Sequence, residues 1–255
     1  MKKINLRIRN EVKIAAVVIG LFFLIAFGER KQSGVVCNNI VIEVENAKEN
    51  HFLDESDVLK IIESSGETVI GAPIEEINLR ALESKLESDK HISNAEIFGD
   101  VKGNLTVNVI LRRPIARLIR ADGPDAYIAE DGKVMETSEK YSSRIVLISG
   151  SIVKPLIQQG DLHVSEEGEQ LIAMVEFINA SQFWKAQVAQ LDFNKAGKVF
   201  IYPQVTGQVV EFGKPEDIEL KFQKLMIFYK EILPQMGWTK YDRVNVEYEG
   251  QVIAE

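Results

Sequence analysis

The sequence has little of several residue types, and each shortage excludes a class of protein. It contains a single cysteine, Cys37, which excludes an internal disulfide framework and a multi-cysteine zinc or iron–sulfur site. Its three histidines, His51, His91 and His163, include no pair at the spacing of a zinc motif. Positive charge is also in deficit, with 30 Lys and Arg against 38 Asp and Glu, the wrong sign for a nucleic-acid-binding protein.

Motifs of enzyme chemistry are scarce as well. The sequence has neither a Gly-x-Ser-x-Gly elbow nor a phosphate-binding loop. Its clustered acids, such as Asp54 with Asp57, stand where helices are expected to begin, a position that favours negative charge. Cys37 is interpreted as a small apolar residue at the start of a strand. We therefore predict no catalytic residue, metal, cofactor or small-molecule substrate, although two glycosidase carboxylates far apart in sequence stay possible.

The N-terminal region has the composition of a membrane anchor. Residues 1–31 carry a net charge of +5, so the remaining 224 residues carry −13 of the total of −8. Residues 14–27 form an uncharged apolar run of about 21 Å as a helix, and snorkelling of Arg9 and Lys13 brings it close to the roughly 30 Å of a bilayer core. Five basic residues precede the run, which predicts a cytoplasmic N-terminus and an exported body.

We accordingly predict a cytoplasmic tail over residues 1–13, a transmembrane helix over 14–28 and a linker over 29–36. The alternative is a cleaved signal peptide, whose apolar region is typically this short. Both interpretations place the remainder of the chain outside the cytoplasm.

The next segment, residues 37–113, predicts a small α+β module. Alternating residues from Asn38 to Val44 indicate a strand, and helices are expected after Asp54 and from Asn78. Two strands joined by a turn at 102–104 follow. Pro114 cannot donate a backbone hydrogen bond, so it is expected to end the last strand or to lie at an edge.

The remainder, residues 114–255, predicts a mixed β domain with two longer helices. The expected elements are hairpins turning at 130–132 and 194–197, helices beginning at Ser165 and Asp217, the second ending at Pro234, and a final strand through Val244, Val246 and Tyr248, interrupted near Gly250.

These motifs carry a resemblance to a known family. Residues 91–118, HISNAEIFGDVKGNLTVNVILRRPIARL, resemble the closing hairpin of a POTRA domain, and residues 113–116, Arg-Pro-Ile-Ala, match its ending in the FtsQ/DivIB family of bacterial cell-division proteins. Further motifs follow in the family's order at residues 127–135, at 210–213, in the helix with Lys221 and at 242–248. The chain departs from the pattern in its short anchor and at residues 245–247, where Leu-Arg is more usual.

The resemblance implies an α+β fold in which a single N-terminal transmembrane helix precedes a β-α-α-β-β POTRA domain (37–113) and an FtsQ-type β domain (114–255). It also implies a scaffold that binds FtsB/DivIC-type and FtsL-type division proteins, with other divisome subunits, outside the cytoplasmic membrane at the septum. Such a scaffold helps to control septal peptidoglycan synthesis and is not an enzyme.

Partner binding is expected at the C-terminal strand, because a strand at a sheet edge offers unpaired N–H and C=O groups for β-augmentation. Where positions match the family, the resemblance singles out Tyr248, Gly250, Gln251 and Ile253. Tyr248 is either an exposed aromatic anchor or a core residue in phase with Val244. Gly250 is either part of the contact or a simple bulge.

A second contact edge is expected at the POTRA strand near Ile40–Val44, the alternative being a solvated edge blunted by Glu43 and Glu45. Two other classes of function stay open. A POTRA-bearing secretion or outer-membrane assembly protein normally has several POTRA units or a C-terminal barrel. An exported cell-wall hydrolase would require a catalytic constellation that the motifs do not show.

Overall fold

The computed structural model of the chain describes residues 17–21, 34–46 and 50–255. Residues 17–21 are helical and exposed, whereas the predicted tail (1–13), the rest of the predicted transmembrane helix (14–28) and most of the linker (29–36) lie outside the described residues. Among the residues that are described, no helix has the length and apolar character needed to span a bilayer.

The chain divides into two compact units. Of the described residues, one unit comprises those up to Glu43 with Glu55–Leu86 and Ala95–Val109, and the other comprises those from Val44 to Asp54 with Glu87–Asn94 and Ile110–Glu255.

The first unit is built mainly from a three-stranded sheet and two helices, in the predicted order β-α-α-β-β. The sheet order is β1-β3-β2. Its elements are β1 (Asn39–Glu45), α1 (Glu55–Glu63), α2 (Leu79–Glu87), β2 (Ile92–Gly99) and β3 (Asn104–Leu111), with a 3-10 turn at Ile74–Glu76 before α2.

Local sequence signals account for these elements. Asn78 caps α2 as predicted, because its Oδ1 accepts the N–H of Ala81 at 3.1 Å. The central strand β3 alternates buried and half-buried residues, as its sequence indicates. Strand β1 is an edge strand, as predicted. At the opposite edge, the carboxylate of Glu83 on α2 accepts the N–H of Ile97, which covers part of β2.

The second unit is built on a nine-stranded mixed sheet with the order β12-β11-β10-β9-β8-β7-β4-β5-β6. The strands are β4 (Pro114–Leu118), β5 (Ala126–Ala129), β6 (Val134–Glu136), β7 (Val146–Gly150), β8 (Val188–Phe193), β9 (Val199–Pro203), β10 (Val209–Gly213), β11 (Arg243–Asn245) and β12 (Ile253–Ala254). The helices are α3 (Val153–Gln159), α4 (Glu166–Ala180), α5 (Gln182–Gln187), α6 (Ile218–Ile227) and α7 (Leu233–Met236).

Two apolar clusters cover parts of the two sheet faces. In the larger cluster, Phe222 of α6 stacks on Phe177 of α4 with ring centroids 5.0 Å apart, and also contacts Trp184 and Phe212. The smaller cluster contains Phe52, Tyr127, Ala129 and Met135. All four residues of β5 are buried, because alternate side chains enter different clusters.

The prediction that Pro234 ends the last long helix is wrong. A π-helical segment, Phe228–Ile232, joins α6 to α7, and α7 contains Pro234 and ends at Met236, with Gly237 as its C-cap. The N–H of Leu233 bonds to the carbonyl of Phe228 in the wider π pattern. Pro234 then falls in the first turn of α7, where the N–H that proline lacks is not needed.

Strand β3 ends at Leu111, before Pro114, as predicted. Pro114 is the first residue of the next strand, β4, and pairs there with β5, while the pairing of β4 with β7 begins at Ala116. The expectation for the final strand is corrected, because this strand is shorter than its alternation suggests. Strand β11 stops at Asn245, and β12 returns antiparallel to it only at Ile253.

Candidate partner-binding edge

The strand β12 is the outermost strand at one end of the nine-stranded sheet. The predicted edge is therefore found only in the part of the C-terminal strand that resumes after Gly250, because β11, the part with Val244, is flanked by β10 and β12. It pairs with β11 through reciprocal bonds between Arg243 and Glu255, whose N–H groups each donate to the other's carbonyl at 3.0–3.1 Å. In an antiparallel pair, the residues between such bonded pairs point their N–H and C=O groups away from the neighbouring strand. The backbone groups of Val252 and Ala254 therefore face the open side of the sheet.

Polar side chains hold the preceding strand in place. Strand β11 pairs in parallel with β10, and Glu211 of β10 accepts hydrogen bonds from Arg243 at 2.7 Å and from Asn245 at 2.8 Å. Asn245 also accepts the N–H of Glu247, whose carboxylate in turn pairs with Lys198 at 2.9 Å. The residues that depart from the family pattern, 245–247, thus connect β11 to β10 and to the turn before β9.

Lys224 attaches helix α6 to the turn that leads into β12. Its Nζ donates to the carbonyl of Val246 at 2.6 Å and to the carbonyl of Tyr248. Val244 and Val246 are both fully buried below this turn. Because a charged donor serves two backbone carbonyls, the backbone leading into β12 is held at both positions.

The four residues singled out by the sequence all lie in this region. Tyr248 is 52% exposed, which answers the question left open by the alternation: it is not a core residue. Gly250 has a φ of +68°, which places it in the turn after Tyr248 and explains the need for glycine there. Gln251 is exposed, and Ile253 is 41% exposed and pairs in register with Asn245.

Sequence reasoning missed the apolar residues on the neighbouring helix. Leu220 and Ile227 of α6 are exposed, and they lie on the same helical face as Lys224, at the spacing i, i+4, i+7. Phe222 and Leu225 enter the core from a different face of α6. The sequence signal for an exposed apolar face was therefore the presence of apolar residues at positions that do not share the helical spacing of the core residues. We call the exposed residues Leu220, Ile227, Tyr248, Gln251 and Ile253, together with the open side of β12, the C-terminal edge surface.

Lys221, the neighbouring lysine of α6, has a different role. Its side chain is buried, and its Nζ donates to the carbonyl of Lys214 at 2.8 Å and lies 5.1 Å from the ring of Phe212. Burial lowers the pKa of Lys221, although the carboxylates of Asp217 and Glu216 oppose this effect. Lys221 therefore fixes the loop between β10 and α6.

The remaining reactive residue types are engaged in local contacts. Cys37 is fully buried, which raises the pKa of its thiol and fits the predicted role of apolar filler. Each histidine is exposed or locally bonded, as predicted: His51 and His163 are exposed, and His91 is bonded within the second unit. Among the residues described, no three His, Cys, Asp or Glu side chains form a group that could hold a metal ion.

A Ser-x-x-Lys pattern, the spacing of one class of catalytic dyad, occurs at Ser151 and Lys154. The two side chains have separate partners. Ser151 Oγ donates to the carbonyl of Asn194 at 2.6 Å, and Lys154 Nζ lies 3.3 Å from the carboxylate of Asp122. This pattern is therefore not a catalytic dyad in the structure.

Comparison with known families defines first the class of the protein and then its family. Residues 35–110 match the family model described as a POTRA-like domain, so the chain is a protein that contains a POTRA-like domain. Residues 113–255 match the model described as FtsQ/DivIB, C-terminal related. Because this second match covers more than half of the sequence, the chain belongs to the FtsQ/DivIB family. The family consists generally of non-enzymatic scaffolds, and its domains indicate a role related to cell division. A comparison with curated proteins gives no match.

Proposed function

We propose that the chain is a single-pass scaffold of the bacterial division complex, with its N-terminus in the cytoplasm and both folded units outside the cytoplasmic membrane. It binds an FtsB/DivIC-type subunit, which is paired with an FtsL-type subunit, and thereby helps to control septal peptidoglycan synthesis. It acts by binding and not by catalysis. The observation that carries the proposal is the open side of β12, an unpaired strand edge within the C-terminal edge surface.

The physical basis is β-augmentation. A partner strand placed beside β12 satisfies the outward N–H and C=O groups of Val252 and Ala254, and these main-chain bonds supply affinity. Specificity then comes from side chains: Tyr248 and Ile253 offer apolar area beside the new strand, and Leu220 and Ile227 offer a helical face. An amphipathic partner that continues from a strand into a helix has the chemistry to cover both parts.

The experiment is site-specific photocrosslinking in living cells, with the photoreactive residue placed at Tyr248 or at Gln251 in the full chain. The matched control is Tyr202 of β9, an exposed tyrosine of the same sheet outside the C-terminal edge surface. We expect capture of a small single-pass coiled-coil protein at 248 and 251 but not at 202. Equal capture at all three sites, or capture at 202 alone, would reject the proposed surface.

A second comparison tests the main-chain mechanism itself. Ala254→Pro removes an outward N–H from β12, whereas Ala254→Gly keeps it. We expect Ala254→Pro to abolish capture at 248 and Ala254→Gly to retain it, while both variants give wild-type far-UV circular dichroism. Retained capture in Ala254→Pro would exclude strand addition at this edge.

A further inference from the structure

At the opposite end of the nine-stranded sheet, the outward backbone groups of the outermost strand are covered by other parts of the second unit. Strand β6 is the other outermost strand. From the pairing of β5 with β6, the backbone groups of Val134 and Glu136 point away from β5, toward the open side. The N–H of Val134 donates to the carbonyl of Gly160 at 3.0 Å. The carbonyl of Glu136 is covered by the imidazole of His91, whose Nε2 lies 3.0 Å from it.

The other ring nitrogen of His91 also faces an acceptor. Nδ1 lies 3.0 Å from Oδ1 of Asp89, and the same oxygen accepts the backbone N–H of His91 at 2.8 Å. A neutral imidazole has one N–H and can satisfy only one of two acceptors, whereas the imidazolium form donates to both. The side chain of His91 is 13% exposed, and Glu136, whose carbonyl it covers, is an exposed residue. The observed geometry therefore fits the doubly protonated ring, which alone donates to both acceptors.

The residues that contact His91 or its neighbour Lys90 in the interactions described here belong to the second unit, and most of them are polar. From its own segment come Asp89 and Lys90, and from β6 comes the carboxylate of Glu136, which pairs with Lys90 at 2.7 Å. The ring of Phe52 covers one face, with centroids 5.1 Å apart.

Arg112 fixes the segment on a further side. Its Nη1 donates to the carbonyls of Lys90, at 3.2 Å, and of Ile92, while its Nε pairs with Asp131 at 2.8 Å. The positive charge of Arg112 thus adds to the stabilisation of ionised Asp89.

We propose that charged His91 is a pH-dependent latch, which holds the segment 89–92 against β6 and closes this second edge of the sheet. Deprotonation leaves one N–H on the ring, which the Asp89 carboxylate accepts more strongly than a neutral carbonyl does. The Glu136 carbonyl then loses its donor and the segment 89–92 loosens from this end of β6, whereas Val134 stays bonded to Gly160. The latch goes beyond the partner binding proposed at β12, since it concerns the opposite end of the sheet.

The direction of the pH dependence follows from the two hydrogen-bond partners of the His91 ring, Asp89 and the Glu136 carbonyl. Burial alone lowers the pKa of His91, but the bonds to Asp89 and to the Glu136 carbonyl outweigh it and raise the pKa above its usual value. This stabilisation is complete below the ordinary pKa of histidine, about 6.5, and is lost as pH rises through the raised value. The bond to His91 holds the pKa of Asp89 below its usual range, so the latch fails at the acidic end only as pH falls through that lowered value.

The first test is a titration of the full chain in lipid nanodiscs, followed by NMR with labelled histidine. The sequence has three histidines, so few signals need assignment, and His91→Gln identifies the signal of His91 by its loss. We expect His91 to carry protons on both nitrogens at pH 6.5 and to titrate above this value. A neutral His91 ring at pH 6.5 would overturn the proposal without any variant having to fold.

The second test is hydrogen exchange of residues 89–92 and 134–136, expressed as protection relative to intrinsic rates. We expect a several-fold loss of protection as pH rises through the His91 midpoint, with no matching loss in β8. The variant His91→Gln is uncharged at every pH and should show no such step. The matched control His163→Gln removes an exposed histidine that pairs with Glu169, and it should keep the step. A step that persists in His91→Gln, or is absent from the wild type, would refute the latch.

Discussion

The contact between Lys224 and the turn before β12 allows a quantitative prediction. In Lys224→Met the methylene part of the side chain is kept, but the donor to the carbonyls of Val246 and Tyr248 is lost. A hydrogen bond to a charged group contributes about 1.5–3 kcal/mol when well shielded. Because Lys224 is only half-buried, we expect about 1–2 kcal/mol for the two bonds together.

The loss should be local, because the segment 243–255 can open without unfolding the core. We therefore expect amide exchange in 243–255 to accelerate by about 5- to 30-fold, which is 1–2 kcal/mol expressed as a ratio. The global free energy of unfolding should change less, and capture of a partner at Tyr248 should fall. Hydrogen exchange of the full chain with mass spectrometry measures all of these segments together.

The matched control is Lys230→Met, which removes an exposed lysine from the π-helical segment of the same helical stretch. This variant should exchange as the wild type does in 243–255. Wild-type exchange in Lys224→Met would show that the two bonds do not hold the turn. A uniform acceleration over the whole second unit would show that Lys224 stabilises the core and not the edge.

Three further predictions concern the packing of the described residues. Phe222→Ala removes a ring that contacts three other aromatic rings and is 1% exposed, and it should cost about 3–5 kcal/mol in urea unfolding; a loss below 1 kcal/mol would contradict this packing. Gly150→Ala should lower the melting temperature strongly, because φ is +93° and the added Cβ would lie 2.0 Å from the carbonyl oxygen of Phe193. The control Gly207→Ala adds a Cβ where no atom lies within 4 Å, so it should melt close to the wild type. Cys37 should react slowly with an aromatic disulfide reagent in the native protein and quickly in denaturant, since burial raises the pKa of its thiol; rapid native reaction would contradict its burial.

Elements with a strong local signal could be predicted from the sequence. The Asp131-Gly132 turn lies between β5 and β6, and Ser165 caps α4 through the N–H of Gly168 at 3.2 Å, as expected. The order of strands and helices in residues 37–111 was also predicted correctly. In these cases the deciding interaction lies within a few residues of the signal.

Elements decided by tertiary contacts could not be predicted in the same way. The alternation through Val244, Val246 and Tyr248 is that of one continuous strand, yet the strand pairing ends at Asn245. Lys224, more than 20 residues earlier, directs the backbone from Val246 to Tyr248. No periodicity within the strand contains that information, so the exposure of Tyr248 could not be decided from the sequence.

Short and irregular helical segments were also difficult to predict from the sequence. The short helices α3 and α5 were not predicted, since each is about two turns long and too short to show a clear period. Pro234 was read as a helix end because proline normally interrupts the hydrogen-bond ladder. The π-helical segment before it changes that ladder, and such segments have no simple sequence signature.

The strand order of the large sheet has a consequence for how the protein folds. From β7 onward, each successive strand is added beside the one that precedes it in the chain, up to β12. Most pairings therefore join segments close in sequence, which lowers contact order and favours growth of the sheet from β7 outward. In this order the outermost strand is always the one that comes last in the chain, and β12 is the final strand of the series. A partner strand that pairs with β12, as proposed above, would extend the sheet by one more strand in the same order.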